Sequence, residues 1–333
     1  MTVKEQVLQL LCAAPARYLS GETLAARLGV TRAAVWKAVK ALQAQGVAIE
    51  AVTNRGYRLV PGTDLLTADG IAALLKGPAA ALRVEVAEEL SSTNEALRAR
   101  AVAGEAAGLV LVARRQTAGR GRRGQAFYSP ADTGLYLSVL LRPALQGADA
   151  VLLTLAAATA AADAVAEVTG REAAIKWVND LLLNGKKICG ILTDAALSLE
   201  DGGLEYAICG VGINLAPPPS GFPPPLQAVA GALWPTAGAV PVGARCRLAA
   251  AFLNRLMLYC QSLPAPAFLP AYRRRLAWVG QPVQLTSGIG RTEGILLDVD
   301  ERGCLLLRGA NGALLTLPGG AAQLRPLAGD TPG

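Results

Sequence analysis

Residues 150–162, AVLLTLAAATAAA, set the first limit on how this chain can fold. They form its most apolar long run, but Thr154 and Thr159 interrupt them and Asp149 and Asp163 bound them. That is too short and too weak for a membrane span, which needs about 20 predominantly apolar residues. Residues 147–168 are therefore predicted as an alanine-rich helix suited to close packing in a globular core. The 333 residues, 52% hydrophobic and 17% charged, allow two or three domains with a large core. The opening MTVKEQ lacks the apolar core and small-residue cleavage site of a secretory signal, so a cytoplasmic protein without a membrane segment is expected. Cys12, Cys189, Cys209, Cys246, Cys260 and Cys304 are scattered with no CxxC pair, which points to reduced, mostly buried thiols.

The chain has no histidine, which argues against Ser-His-Asp chemistry and zinc hydrolysis. Chemistry here must run on lysine, arginine, carboxylates, backbone amides and magnesium. The net charge is +7, and residues 1–62 carry eight Lys and Arg against three Glu. In that segment VKEQVLQLLCAA and SGETLAARLG have helical spacing, the second ended by Gly29. Thr31 is a plausible N-cap for TRAAVWKAVKALQAQG, with Gly46 as its stop. Thr31, Arg32, Lys37 and Lys40 would face outward, with Val35, Val39 and Leu42 inward. VAIEAVTNRGYRLVP then reads as a hairpin whose tip carries Arg55. The pattern is that of a winged helix-turn-helix, with Thr31, Arg32, Lys37, Lys40 and Arg55 as candidate DNA contacts; a three-helix interaction module is the alternative.

Pro61-Gly62-Thr63 reads as a linker. TADGIAALL follows as a short helix capped by Thr67, and RVEVAEEL as a strand. In SSTNEALRARAV, Ser92 and Glu95 have capping-box spacing, and a helix start lined by Ser, Thr and Asn also offers donors and acceptors to a small polar ligand. LVLVARRQT leads as a strand into residues 115–130, RQTAGRGRRGQAFYSP. There Gly119, Gly121 and Gly124 allow close backbone approach, and Arg120, Arg122 and Arg123 supply planar donor forks. Such a loop suits phosphate or carboxylate, and equally a nucleic acid; it lacks the Gly-Lys-Ser/Thr ending of a Walker A motif. It should be mobile when empty and ordered by an anion.

TGLYLSVLLRP reads as a strand. IKWVNDLLLNGKKICGILTDAAL reads as strand IKWV, the polar pair Asn179-Asp180, strand LLLN, an Asn184-Gly185 turn and strand KKICGILTDA. LEYAICGVGIN continues the sheet, with Gly210 and Gly212 set where a ligand can lie against the backbone. Lys176 within an apolar strand needs a partner; Asp180 supplies one, either as a structural salt bridge or as part of a site.

STN, QTAGRGRRG, KWVND, NGKKICGIL and GVGIN, in this order and spacing, resemble the biotin protein ligase family, and with the preceding segment the chain is similar to its bifunctional members that also repress biotin genes. The resemblance runs from residue 4 to about 327. It implies an α+β fold: an N-terminal winged helix-turn-helix (1–62), a central mixed-sheet α/β ligase domain of the biotin/lipoate ligase type (65–279) and a small C-terminal SH3-like β-barrel (280–328). It further implies activation of biotin by ATP to biotinyl-5′-AMP, with Mg²⁺, then transfer to a lysine of a biotin carboxyl carrier protein. As partners it implies operator DNA and a homodimer when adenylate is bound.

By motif position, Ser92, Thr93, Asn94 and Gln116 resemble the residues around biotin's ureido ring. Gly119, Arg120, Gly121 and Arg122 resemble the loop over biotin and the adenylate phosphate. Lys187 and Gly190 match the lysine and glycine beside the biotinyl carboxyl. Lys187, Arg122 and Asp180 are the catalytic candidates. Arg122, Lys176, Asn179, Asp180, Gly212 and Asn214 are the ATP-binding candidates, with the Asn179-Asp180 pair serving Mg²⁺, adenosine or the incoming amine. The family pattern is broken by Val178 for proline, by Gln125-Ala126-Phe127 for a basic pair and tryptophan, and by Thr193-Asp194 for a hydrophobic residue and glutamate. A lipoate ligase would be expected to show a different glycine-rich loop. Two alternatives remain, a ligase whose winged helix has lost operator binding and a regulator that senses a small anion without catalysis; intact Lys187, Asn179 and Asp180 argue against the second. The Pro-rich 216–225 reads as a surface excursion.

Overall fold

Helix ends in the first sixty residues are closed by the side chains suited to the task. In the computed structural model, which describes residues 2–14, 17–44, 47–60, 66–198, 200–287, 290–319 and 323–327, the chain starts with α1 (Val3–Ala13), α2 (Gly21–Leu28) and α3 (Arg32–Ala44). Ser20 Oγ accepts from Thr23 N at 3.0 Å, and Gly29 ends α2 at φ +64°. Thr31 Oγ1 accepts from Ala34 N at 3.2 Å to open α3. Val35, Val39 and Leu42 are buried with Val7, Leu11 and Leu24, while Thr31, Arg32, Lys37 and Lys40 are exposed. The hairpin β1 (Ile49–Val52) and β2 (Gly56–Leu59) follows. Gly56, at φ +102°, passes so close to Leu19 that a Cβ would lie 2.2 Å from its carbonyl oxygen. At the wing, the Arg55 guanidinium lies 5.1 Å from the Tyr18 ring centroid, and Arg58 pairs with Glu50 at 2.6 Å. Gly46, the expected linker at 61–63 and residue 328 lie outside the described residues.

After α4 (Ala68–Ala72), capped by Thr67, come β3 (Arg83–Leu90), α5 (Thr93–Val102), β4 (Leu109–Gln116), β5 (Gly134–Leu141) and α6 (Ala150–Thr169). Then follow β6 (Ala174–Lys176), β7 (Asp180–Leu183), β8 (Lys186–Leu197) and β9 (Leu204–Asn214). The seven strands pair in the order β3-β4-β5-β9-β8-β7-β6, parallel between β3 and β4 and antiparallel elsewhere. Side-chain alternation divides the two faces. Leu135, Leu137, Val139, Val211 and Ile213 join the core with α6 and α8 (Ala244–Cys260), while Leu140 and Ile208 pack with Leu97 of α5 on the other side. Each buried Leu or Val contributes about 1.5–3 kcal/mol; β5 is buried on both faces, so a one-residue slip would turn Leu135, Leu137 and Val139 away from the core they pack in and is disfavoured.

The alanine run behaves as its composition requires. Ala156–Ala158 and Ala160–Ala162 are fully buried, and the hydroxyl of buried Thr159 donates to Leu155 O at 2.8 Å. Contrary to the expectation from 150–162 alone, the full helical stretch Gly147–Thr169 is long and apolar enough, by length and composition, to cross a bilayer; it lies in the core of the sheet domain.

One strand is shorter than expected. IKWV ends as β-structure at Lys176; Trp177, Val178 and Asn179 form the turn into β7, and the Trp177–Val178 peptide is cis. The reason is register: Lys176 pairs directly with Asp180, which leaves three residues to reverse the chain. Asn184 and Gly185, at φ +51° and +74°, make the expected tight turn into β8. In the Pro-rich stretch Ala216 and Pro218 are buried, Pro219, Ser220, Pro224 and Pro225 are exposed and the rest are half-buried; it leads through α7 (Pro224–Gln227). Beyond α8 and α9 (Leu269–Arg274), strands β10 (Pro282–Ser287), β11 (Gly290–Val299), β12 (Leu305–Arg308), β13 (Leu314–Leu317) and β14 (Gln323–Pro326) form an antiparallel sheet of SH3-like type, ordered β13-β12-β11-β10-β14. The N-terminal unit docks on the centre through Lys4–Asp69 at 2.8 Å and Val242, which joins its core.

Candidate active site

Cross-strand register explains why three separated motifs meet. Tyr136 pairs with Gly212, Gly212 with Gly190, Gly190 with Asp180, and Asp180 with Lys176. This gives one transverse row over five strands. A second row, Ser138–Gly210–Leu192, lies two residues away on the same face. The two glycines of GVG, spaced by the sheet's period of two, thus leave a floor without side chains. The Phe127 ring rests on it: a Cβ at Gly212 would lie 2.4 Å from Phe127 Cε1, and one at Gly190 3.2 Å from Cε2. Phe127 also meets Tyr136 edge to face at 6.4 Å.

The Gly/Arg loop folds back on itself. Gly121 N donates to Gln125 O at 2.7 Å and Phe127 N to Gly119 O at 2.8 Å, with Arg123 and Gly124 at positive φ at the tip. At Gly119 a Cβ would stand 2.5 Å from both Phe127 O and Ser129 Oγ, so only glycine fits. Arg122 reaches across the site, donating to Asn179 Oδ1 and Gly319 O, each at 3.2 Å. Burial lowers its pKa, opposed by Asp180; an arginine nevertheless keeps its charge. Arg120 turns aside to pair with Glu95 at 2.9 Å.

Lys187 Nζ stands 2.7 Å from Asp180 Oδ1, and Lys176 Nζ 3.9 Å from Oδ2. Lys176 sits below the ordinary lysine range, chiefly through burial, with Asp180 opposing and Lys187 and Arg325 adding to the shift. Asn179 Nδ2 donates to Ile191 O at 2.8 Å. The buried thiols of Cys189 and Cys209 are pushed up by desolvation, and all six cysteines are free.

The start of α5 departs from the expected capping box. Ser92 holds the N-cap position but makes no side-chain cap bond. Gln116 Oε1 accepts from Thr93 N at 2.8 Å instead, and Glu95 is drawn off by Arg120 and by Ser91 Oγ at 3.2 Å. A full charge beside it outcompetes an exposed backbone N–H for the Glu95 carboxylate. Gln116 in turn donates to Ser129 Oγ at 3.0 Å, which ties the helix start to the loop.

Two adjoining chambers result. The smaller, of about 50 Å³, is walled by Ser92, Thr93, Asn94, Gln116, Arg120, Gly121, Gly190 and Gly210. The larger, of about 210 Å³, is walled by Arg123, Gln125, Lys176, Trp177, Asp180 and the C-terminal Gln323 and Arg325. Arg122, Phe127, Asn179 and Lys187 face both. Gly119 acts from behind the wall. Asn214 is not brought to either chamber: its amide donates to Gly231 O at 2.9 Å. Sequence reasoning missed Ser138 and Arg325. For Ser138 the signal was one hydroxyl in the apolar LYLSVLL; for Arg325 there was none. Among the described residues, no group of three Cys, Asp or Glu is placed to hold a metal ion.

A glycine-floored mixed sheet, a folded Gly/Arg loop and a Lys-Asp-Lys row define a ligase of the biotin/lipoate type. Residues 86–214 match the Biotin/lipoate A/B protein ligase family, 279–325 the Biotin protein ligase C terminal domain and 3–58 an HTH domain. The chain is 35% identical to the Bifunctional ligase/repressor BirA of Bacillus subtilis over 71% of this chain and 72% of that protein. It is 31% identical to the protein of the same name from Escherichia coli over 97% and 98%. A solved biotin protein ligase from Aquifex aeolicus, in complex with biotin and ATP, superposes with a TM-score of 0.61 at 26% identity, covering 73% of this chain and 99% of that one. The chain belongs to the biotin protein ligase family.

Proposed function

We propose that this chain is a bifunctional biotin protein ligase and biotin-responsive repressor. It activates biotin with ATP and then biotinylates a lysine of a biotin carboxyl carrier protein. The biotin carboxylate attacks the α-phosphate, giving biotinyl-5′-AMP and pyrophosphate; the lysine amine then attacks the mixed anhydride and AMP leaves. The observation that carries this reading is Lys187, which with Arg122 faces both chambers. Two anions must meet there, and two fixed cations at the junction offset their repulsion and stabilise the charge that develops between them.

In this reading the smaller chamber takes the ureido ring, with Ser92, Thr93, Asn94 and Gln116 around it, under the loop of Gly119, Arg120 and Gly121. Gly190 and Gly212 floor the junction, so Phe127 lifts from the glycines as ligand enters. The larger chamber takes the adenylate and leaving phosphates, with Lys176, Asn179 and Asp180 beside them and Arg123 and Arg325 closing the far side. Mg²⁺ carried in on the triphosphate would sit beside Asp180, the carboxylate of the larger chamber, and would be held mainly by phosphate and water. Such an ion would add charge neutralisation to that of the two cations. The division into 1–62, 65–279 and 280–328 belongs to the same proposal, as does a cytoplasmic location. Thr31, Arg32, Lys37, Lys40 and Arg55 meet operator DNA, and the adenylate-bound form dimerises to do so.

The test is pyrophosphate release from ATP with Mg²⁺, in the presence of biotin or of lipoate, followed by mass detection of the retained product. Biotin-dependent release with bound biotinyl-AMP is expected. Release with lipoate alone, or with neither acid, would overturn the assignment.

A further inference from the structure

The sheet leaves the backbone of Lys187 short of neighbours. β9 pairs with β8 only as far as Ile213, opposite Cys189, so Lys187 lies past the end of that ladder. On the other side the register with β7 shifts: Leu181 faces Cys189 and Leu182 faces Lys187, which leaves Ile188 as the extra residue of a bulge. A strand end with a bulge on one side and no strand on the other holds its side chain loosely unless something else pairs with it.

A separate segment fills the gap. Lys187 N donates to Val229 O and Gly231 N donates to Lys187 O, both at 2.8 Å, so residues 229–231 lie beside Lys187 as a parallel bridge in the place that β9 vacates. The approach needs glycine, because a Cβ at Gly231 would lie 2.6 Å from Lys186 Cβ. Apart from that bridge, residues 228–231 belong to no helix or strand, so their hold depends on individual ties. Asn214 supplies two of them. Its Nδ2 donates to Gly231 O, and its own carbonyl accepts from Leu233 N, both at 2.9 Å. Asn214 is itself fixed as the last residue of β9, paired with Gly134 of β5. The end of β9 is thus joined to the segment that replaces it. From this backbone the Lys187 side chain passes over Gly190, where a Cβ would lie 3.3 Å from both Cε and Nζ, and ends 2.7 Å from Asp180 Oδ1.

We propose that Asn214 is a positioning residue for Lys187: it holds residues 229–231 against the Lys187 backbone, so that the ammonium stands where the two chambers meet. Asn214 lines neither chamber, which sets this role apart from a contact to nucleotide or biotin. The inference rests on the catalytic reading of Lys187.

The experiment is single-turnover formation of biotinyl-AMP by the full chain, with biotin, ATP and Mg²⁺, in wild type, Asn214→Ala, Lys187→Met and the double variant. Asn214→Ala is expected to slow the saturated step about 10-fold, the worth of one well-made hydrogen bond, with the concentration dependence on ATP unchanged. Asn214→Asp, of the same shape but without the donor, should be slowed at least as much. In the Lys187→Met background the loss of the Asn214 amide should cost less than about twofold, because a residue that acts through another is not additive with it. Gly231→Ala drives a Cβ into Lys186, displaces the segment from its other end, should show the same dependence on Lys187, and carries the test if Asn214→Ala does not fold. A wild-type rate in Asn214→Ala, or an equal factor lost with and without Lys187, would overturn the proposal. So would a weaker dependence on ATP at an unchanged saturated rate, which would put Asn214 at the nucleotide. A wild-type chain that forms no biotinyl-AMP, or a Lys187→Met protein as fast as wild type, would instead overturn the functional reading on which it rests.

Discussion

Replacing Lys187 with methionine isolates the part of catalysis that depends on one charge. In the resting protein the ammonium is 38% exposed and lies 2.7 Å from Asp180 Oδ1. An ion pair that open to solvent contributes about 0–1 kcal/mol, and Lys176, on the other side of the same carboxylate, still partly offsets the Asp180 charge at 3.9 Å. The fold should therefore survive with little loss of melting temperature. The transition state differs, because charge develops between carboxylate and α-phosphate at the junction that Lys187 faces. Removing one preorganised donor from such a position costs about 3–4 kcal/mol, or about 10²–10³ in rate. Single-turnover formation of biotinyl-AMP, at saturating biotin and ATP, should fall by that factor while biotin binding changes far less. A Lys187→Met protein that forms adenylate within about threefold of wild type would refute the argument, since this one of the two cations facing both chambers would then carry none of the developing charge.

Further outcomes follow from neighbouring geometry. Gly212→Ala places a Cβ 2.4 Å from Phe127 and on the floor that the ligand needs; adenylation should drop by about 100-fold or more, with circular dichroism unchanged. Phe127→Ala should shorten the retention of biotinyl-AMP, measured by filter binding, because the aromatic cover over the glycines is lost. Lys176, held below the ordinary lysine range chiefly by burial, loses its charge at a lower pH than an ordinary lysine does. KM for ATP should therefore climb on the alkaline side, and Lys176→Arg should remove that rise. The stability sign is opposite: burial penalises the charged form, so the penalty is present at lower pH and is relieved as pH rises through the depressed pKa. In the N-terminal unit, Arg32→Ala should weaken DNA binding in a mobility-shift titration and leave ligation untouched; equal effects on both would sink the division of labour.

What could be read in advance was whatever depends on local spacing. Thr31 and Gly29 act at helix ends as their residue types require, and the period of two in GVG places Gly210 and Gly212 on one face of β9 whatever the strand pairs with. Relations fixed only by register or by competition were not legible. The spacing of Ser92 and Glu95 satisfies a capping box, but that pattern is silent on Arg120, which lies 25 residues further on and takes the carboxylate. Gln116 gains the α5 start because parallel pairing sets it beside Leu90, next to the turn into that helix. Ser138 is only a hydroxyl in an apolar strand until its pairing with Gly210 brings Asn94 and Thr93 to it. Asp194 appeared in sequence as an unexplained change for the same reason, since its meaning lies in an amide 100 residues earlier. Motif residues that line the two chambers are thus recognisable one by one, whereas the residues that orient them emerge only when the sheet is assembled.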